Sequence, residues 1–241
     1  KWLKHPDDIE NLSRNVVNSW KNSFNFKEED IETNTIGLRK PQIGAIHSIL
    51  GHLTNATEIA TVVLPTGTGK TETMLSVLVA NRCKKLLVVV PSDALRGQLA
   101  GKFYDLGWLK KIDNEGNSIV LEKAKYPKVG ILNTGFSDEE ELNFFIEKCN
   151  VIVATMDLLT SMSIQQKNSL TEKCSHLFVD EAHHSKAKSW NKFIKSFDKN
   201  KVVLFTATPY RNDGQLLDGK IIYNFTLKEA QEQGYFKEID F

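Results

Sequence analysis

Ile59-Ala60-Thr61-Val62-Val63-Leu64-Pro65-Thr66-Gly67-Thr68-Gly69-Lys70-Thr71-Glu72-Thr73-Met74-Leu75 joins an apolar run to a glycine-rich turn and then to a helical stretch. A run apolar on both faces reads as a buried parallel strand. The glycines of the turn let successive backbone N–H groups curl round an anion, and the helix that follows adds the positive end of its dipole. Strand, phosphate loop and helix in this order predict an α/β fold built round a phosphate site. Lys70 is placed to reach β and γ phosphates, and Thr71 to offer its hydroxyl to Mg²⁺. The strict pattern asks for glycine at position 64, where the chain has Leu64.

Outward from this segment the same alternation continues. Apolar runs at Lys85 to Val90, Lys128 to Leu132, Asn150 to Ala154, His176 to Asp180, Lys201 to Thr206 and Ile221 to Phe225 are each expected to be strands of one mostly parallel sheet. Helices are expected at Leu38 to Leu53, Gly69 to Asn81, Ser92 to Leu106, Ser137 to Cys149 and Trp190 to Phe197. Between Gly107 and Tyr126 the turn cluster Asp113-Asn114-Glu115-Gly116-Asn117 predicts a hairpin or loop insertion. Residues 1–34 form a separate N-terminal extension, where Ile9, Leu12, Val16, Val17 and Trp20 recur at helical spacing. That stripe either packs on the main domain, residues 35–241, or meets a partner subunit.

The chain has 241 residues with 31 Lys+Arg against 30 Asp+Glu, 41% hydrophobic and 25% charged. This is an ordinary globular composition, long enough for one large α/β domain. Cys83, Cys149 and Cys174 are widely spaced, so no disulfide framework or cysteine zinc site is expected, and a cytoplasmic location fits. No apolar run reaches the roughly 18 residues of a membrane span. A net charge of +1 provides no general basic field, so any nucleic-acid contact must be local. Lys1 is not preceded by Met, and the chain is expected to be a piece of something longer.

A second motif carries chemistry. His176-Leu177-Phe178-Val179 delivers Asp180-Glu181-Ala182-His183-His184 at the carboxyl edge of a strand, where α/β sheets bind ligands. Beside a phosphate loop, Asp180 is placed to hold Mg²⁺ through its water shell and Glu181 to activate a water. The two histidines lack a remote ligand set for zinc. The run Val202 to Phe205 then ends in Thr206-Ala207-Thr208-Pro209-Tyr210-Arg211.

In this order the pieces resemble the first RecA-like motor domain of superfamily-two helicases and translocases of the DEAH-type branch, over roughly Leu38 to Phe236. Leu38-Arg39-Lys40-Pro41-Gln42 is similar to the family's adenine-reading segment, which implies nucleotide contacts for Arg39 and Gln42. Pro65, Thr66, Gly67, Thr68, Gly69, Lys70 and Thr71 match box I, which binds ATP. Val89-Val90-Pro91-Ser92 with Leu95, Arg96 and Gln98 resembles box Ia, and Val153-Ala154-Thr155-Met156 a later DNA-facing box, which implies nucleic-acid contacts for Ser92, Arg96, Gln98 and Thr155. Asp180 to His184 resembles box II and Thr206 to Pro209 box III, which implies that His183, Thr206 and Thr208 couple the nucleotide to the nucleic acid. Leu227-Lys228-Glu229-Ala230 with Gly234-Tyr235 looks like the family's exit helix. The T-A-T-P-Y-R form of box III and the extra His184 look like the motor subunits of type I and type III restriction enzymes and like related DNA repair translocases. The resemblance implies ATP and Mg²⁺ as ligands, DNA in preference to RNA, and a second RecA-like domain carrying an arginine finger, a role Arg211 does not fill. A DEAH-type RNA helicase and a nucleotide-gated binding module without translocation are the alternative readings.

Overall fold

The computed structural model describes residues 2–3, 12–30, 32–33, 35–134, 136, 138–184, 188–198, 201–210 and 214–235. The elements in chain order are β1 (Trp2–Leu3), α1 (Ser13–Ser19), α2 (Lys40–Asn55), β2 (Ala60–Val63), α3 (Lys70–Ala80), β3 (Leu86–Val90), α4 (Asp93–Asp105), β4 (Val129–Ile131) and α5 (Glu139–Lys148). They continue with β5 (Val151–Thr155), α6 (Met156–Ser161), α7 (Ile164–Lys173), β6 (His176–Val179), α8 (Lys188–Ser196), β7 (Val202–Thr206), β8 (Lys220–Asn224) and α9 (Leu227–Glu232).

All seven expected apolar runs are strands. They form one sheet in the order β1-β4-β5-β3-β6-β7-β2-β8, parallel throughout except for β1, which pairs antiparallel with β4. Side chains alternate between the two faces. Leu86, Val88 and Val90 enter one core with residues of α1 to α4, whereas Leu87 and Val89 enter a second core with residues of α5 to α8. Each fully buried aliphatic side chain contributes about 1.5–3 kcal/mol relative to exposure, which is why these strands read as unbroken apolar runs.

Three elements refine the sequence reading. First, α6 and α7 occupy a segment with no predicted helix. They are anchored by Leu159 and Leu170 and capped by Thr155 and Ser163, so side-chain caps start two short helices whose apolar stripe is weak. Second, of the hairpin and the loop insertion that the sequence allows over Gly107 to Tyr126, the structure has the loop. Its apolar residues Leu109, Ile119, Val120 and Ala124 turn inward and join the core singly instead of pairing as two strands. Third, the helix described in the N-terminal extension is Ser13–Ser19, and Ile9 of the expected stripe lies outside the described residues. Val16 and Trp20 are buried in the main core, and the Trp20 indole N–H donates to the Lys125 carbonyl at 2.9 Å.

The strand order positions the site. In a parallel sheet all carboxyl ends share one edge, and β6, β7 and β2 are neighbours. The acidic pair after β6, Thr206 at the end of β7 and the glycine loop after β2 are therefore side by side. Ser92 after β3 and Thr155 at the end of β5 lie further along the same edge.

Candidate functional site

The loop between β2 and α3 holds its shape by internal contacts. Gly67 and Gly69 have φ of 87° and 95°, in the left-handed region that favours glycine. The Thr68 hydroxyl donates to the Pro65 carbonyl at 2.7 Å, and the Thr73 amide and hydroxyl both donate to the Gly69 carbonyl at 3.0 Å. A Cβ at Gly69 would lie 1.9 Å from Gln42 Nε2, so a larger residue there would have to push the Gln42 amide off the Gly69 carbonyl in addition to straining φ.

Arg39 and Gln42 brace this loop from behind. Gln42 Nε2 donates to the Gly69 carbonyl at 3.3 Å while its Oε1 accepts from the Arg39 amide at 2.8 Å. The Arg39 guanidinium donates to the Gly67 carbonyl at 3.1 Å, pairs with Glu29 at 3.4 Å and lies 5.5 Å from the centre of the Tyr235 ring. Both residues thus act on the loop itself, and both also line a cleft of about 540 Å³ beside it.

The acidic pair faces the loop. Lys70 Nζ is 3.2 Å from Glu181 Oε1 and donates to the Leu64 carbonyl at 3.3 Å. Burial, reinforced by the neighbouring Glu181 charge and opposed by Lys70, pushes the Asp180 carboxyl up to about 6. The Asp180 carboxylate accepts from the Glu181 amide at 3.0 Å. Glu181 sits at φ 48°, a conformation costing a non-glycine residue about 1 kcal/mol or more, and its buried Oε2 has no hydrogen bond. Lys70, Thr71, Asp180 and Glu181 all line a cleft of about 310 Å³.

His183 links this pair to β7. Its Nδ1 lies 3.1 Å from the Thr206 hydroxyl and 3.4 Å from Glu181 Oε2. The Thr206 hydroxyl already donates to the Thr208 carbonyl at 2.6 Å, so it can only accept from His183, which places a proton on Nδ1. The Thr208 hydroxyl in turn accepts from the Tyr210 amide at 3.3 Å. The His184 side chain and Arg211 lie outside the described residues.

The four residues implied for nucleic acid are placed differently from one another. The Ser92 and Thr155 hydroxyls cap α4 and α6, each accepting a backbone N–H at 3.4 Å. The Arg96 guanidinium folds back, donating to the Leu132 carbonyl at 3.3 Å and pairing with Asp93 at 2.9 Å, with its side chain 13% exposed. Gln98 lines the phosphate-loop cleft, together with Lys102 one turn further along α4. Lys102 carries no motif, but its helical spacing from Gln98 gives a signal for it in hindsight. Trp108 and Lys111, which line the larger cleft beside Gln42, give none, because a loop insertion brings them there.

Residues 35–211 match the family model described as type III restriction enzyme, res subunit. Among solved structures, the UvsW helicase from bacteriophage T4 superposes with a TM-score of 0.50 at 17% identity, over 83% of this chain and 62% of that one. A nuclease-deletion mutant of the type ISP restriction-modification enzyme LlaGI, solved with a DNA substrate mimic, gives a TM-score of 0.52 at 17% identity, over 83% of this chain and 21% of that one. No curated protein matches the chain.

Proposed function

The chain belongs to the family of type III restriction enzyme res subunits and carries its RecA-like motor fold, and on that premise we propose that it is the ATP-binding half of a DNA translocase of a restriction or repair system. The observation that carries this reading is the convergence of Lys70, Thr71, Asp180 and Glu181 on one cleft at the carboxyl edge of the sheet. The chain spans 62% and 21% of the two solved proteins above, so translocation is the work of a longer assembly that includes a second RecA-like domain.

The residues present fit an ATP–Mg²⁺ pair. Two left-handed glycines leave room for a phosphate, Lys70 supplies a buried ammonium, and Glu181 Oε2 is a buried acceptor without a hydrogen bond. Thr71 and Asp180 would hold Mg²⁺, whose charge would offset the negative charge that builds up on the phosphates. Lys70 moves from Glu181 to the phosphates, and Glu181, released, orients and deprotonates the attacking water. His183 senses the Glu181 carboxylate and passes its position to Thr206 and Thr208, which couple nucleotide state to the DNA-facing edge. DNA contact runs through the edge that carries Ser92 and Thr155, where the exposed N-terminus of α4 offers N–H groups to phosphates without reading bases. Residues 1–34 serve as an extension of the 35–241 motor domain.

The test is ATP hydrolysis by the full-length protein with duplex DNA or RNA added. Stimulation by duplex DNA supports the reading, and stimulation by RNA alone assigns the motor to the RNA-helicase class. Hydrolysis that displaces no DNA-bound third strand would reduce the protein to a nucleotide-gated clamp.

A further inference from the structure

The two clefts beside the glycine loop meet at Gly67, Gly69 and Glu72. The smaller holds the phosphate machinery, so a nucleotide bound there extends its nucleoside into the larger, about 540 Å³, cleft. One wall of that cleft comes from the N-terminal extension and the segment before α2, through Glu29 and Gly37. Trp108 and Lys111, from the 107–126 insertion, supply a second part of the lining.

That second part is held rigidly. Leu106 and Gly107 reverse the chain with φ of 58° and 55°, and Leu109, fully buried, pins the turn to the core. The Val120 amide donates to the Leu109 carbonyl at 2.8 Å. The insertion is also stitched to the extension that lines the same cleft. Phe24 pairs with Val120, the Asn25 amide donates to the Ile119 carbonyl at 2.8 Å, and Lys27 Nζ meets Asp113 at 2.6 Å. Extension and insertion therefore form one clasp that lines the cleft.

The geometry points to Trp108 as a contact residue for the nucleoside of a bound nucleoside triphosphate, with the 107–126 insertion as the arm that presents it. This rests on the ATP-binding reading of the phosphate loop. A half-buried indole packed on the core presents an aromatic surface at little entropic cost, and a base or ribose laid against it gains stacking and apolar contact. Lys111, an exposed residue one turn on, adds a cation on the same side for ribose hydroxyls or the α-phosphate.

Calorimetric titration of the 241-residue chain with ATP and, separately, with inorganic tripolyphosphate distinguishes the two ends of the site. Trp108→Ala weakens ATP about tenfold, the size expected for losing one aromatic stack, and leaves tripolyphosphate unchanged. Trp108→Phe restores most of the ATP affinity, and Lys70→Ala weakens both ligands. A second readout needs no substitution: ATP, but not tripolyphosphate, slows amide exchange over residues 107–111 of the parent chain. Equal ATP binding by parent and Trp108→Ala, equal weakening of both ligands, or no ATP-specific protection of residues 107–111 each overturns the assignment of Trp108. A parent chain that binds neither ligand overturns the phosphate-site reading, and the assignment with it.

Discussion

Lys70 and Glu181 hold each other: the ammonium of the phosphate loop lies 3.2 Å from the carboxylate that follows β6, with the side chains 9% and 19% exposed. The two groups of opposite charge proposed for phosphate binding and water activation neutralise one another. On the proposed reading a phosphate group takes the place of Glu181 at Lys70, and the same displacement frees Glu181 for its proposed task.

Glu181→Gln is therefore expected to bind ATP at least as tightly as the parent, because the competing carboxylate is gone, while hydrolysis by the full-length protein stalls. Lys70→Ala should lose ATP affinity at least tenfold. Fluorescent-nucleotide titration and steady-state hydrolysis check both, and parental turnover by the Glu181 variant would show that another group activates the water.

Turnover by the 241-residue chain alone should be near background. An arginine finger contributes ~10³ to 10⁵ in rate in related NTPases, and among the described residues Arg39 and Arg96 are both engaged elsewhere. Phosphate release at several turnovers per second from the purified chain would remove the need for a second domain.

Asp180 makes ligand-free stability depend on pH. Its folded value of about 6 lies above the ordinary 3.8, so the folded chain holds a proton that the unfolded chain releases between these values. Stability from this group falls as pH rises from about 4 to about 6 and stays low above that, by about 3 kcal/mol at 1.36 kcal/mol per unit. Asp180→Asn should raise the melting temperature at pH 7.5, with the gain shrinking as the pH is lowered toward 4. An equal gain at both pH values would show that the carboxylate is not the cause.

Thr206→Val removes the hydroxyl that accepts from His183 and leaves Nδ1 turned toward Glu181 Oε2, 3.4 Å away, at a cost of about 0.5–1.5 kcal/mol. ATP binding should survive and stimulation of hydrolysis by DNA should fall. Melting curves and DNA titrations of the full-length variant separate the two effects, and unchanged stimulation would take Thr206 out of the coupling path.

DNA binding by this chain should be weak and independent of sequence, with a shallow salt slope of roughly 0.9 per neutralised phosphate. Because the Arg96 guanidinium is spent on the Leu132 carbonyl and Asp93, Arg96→Ala should lower the melting temperature more than it lowers DNA affinity. A slope near −8, or a preference for one sequence, would reveal a recognition surface elsewhere on the molecule.

The sequence by itself determined the seven parallel strands, the glycine loop and the acidic pair. A strand buried on both faces must be apolar along its length, and a backbone curled round a phosphate must carry glycines, so both leave marks within a few consecutive residues. The short helices α6 and α7 and the inward-turning insertion left weaker marks, because capping hydroxyls and single apolar residues do not repeat at any period. Only the tertiary structure decided that β7 lies between β6 and β2, which sets His183 against Thr206, 23 residues away. It also decided that Arg39 and Gln42 brace the loop carbonyls, that Arg96 turns inward, and that Trp108 faces the cleft beside Gln42. Such contacts join residues far apart in the chain, and they are selected by which packed arrangement satisfies buried polar groups and closes the core, a property of the whole fold that no local pattern records.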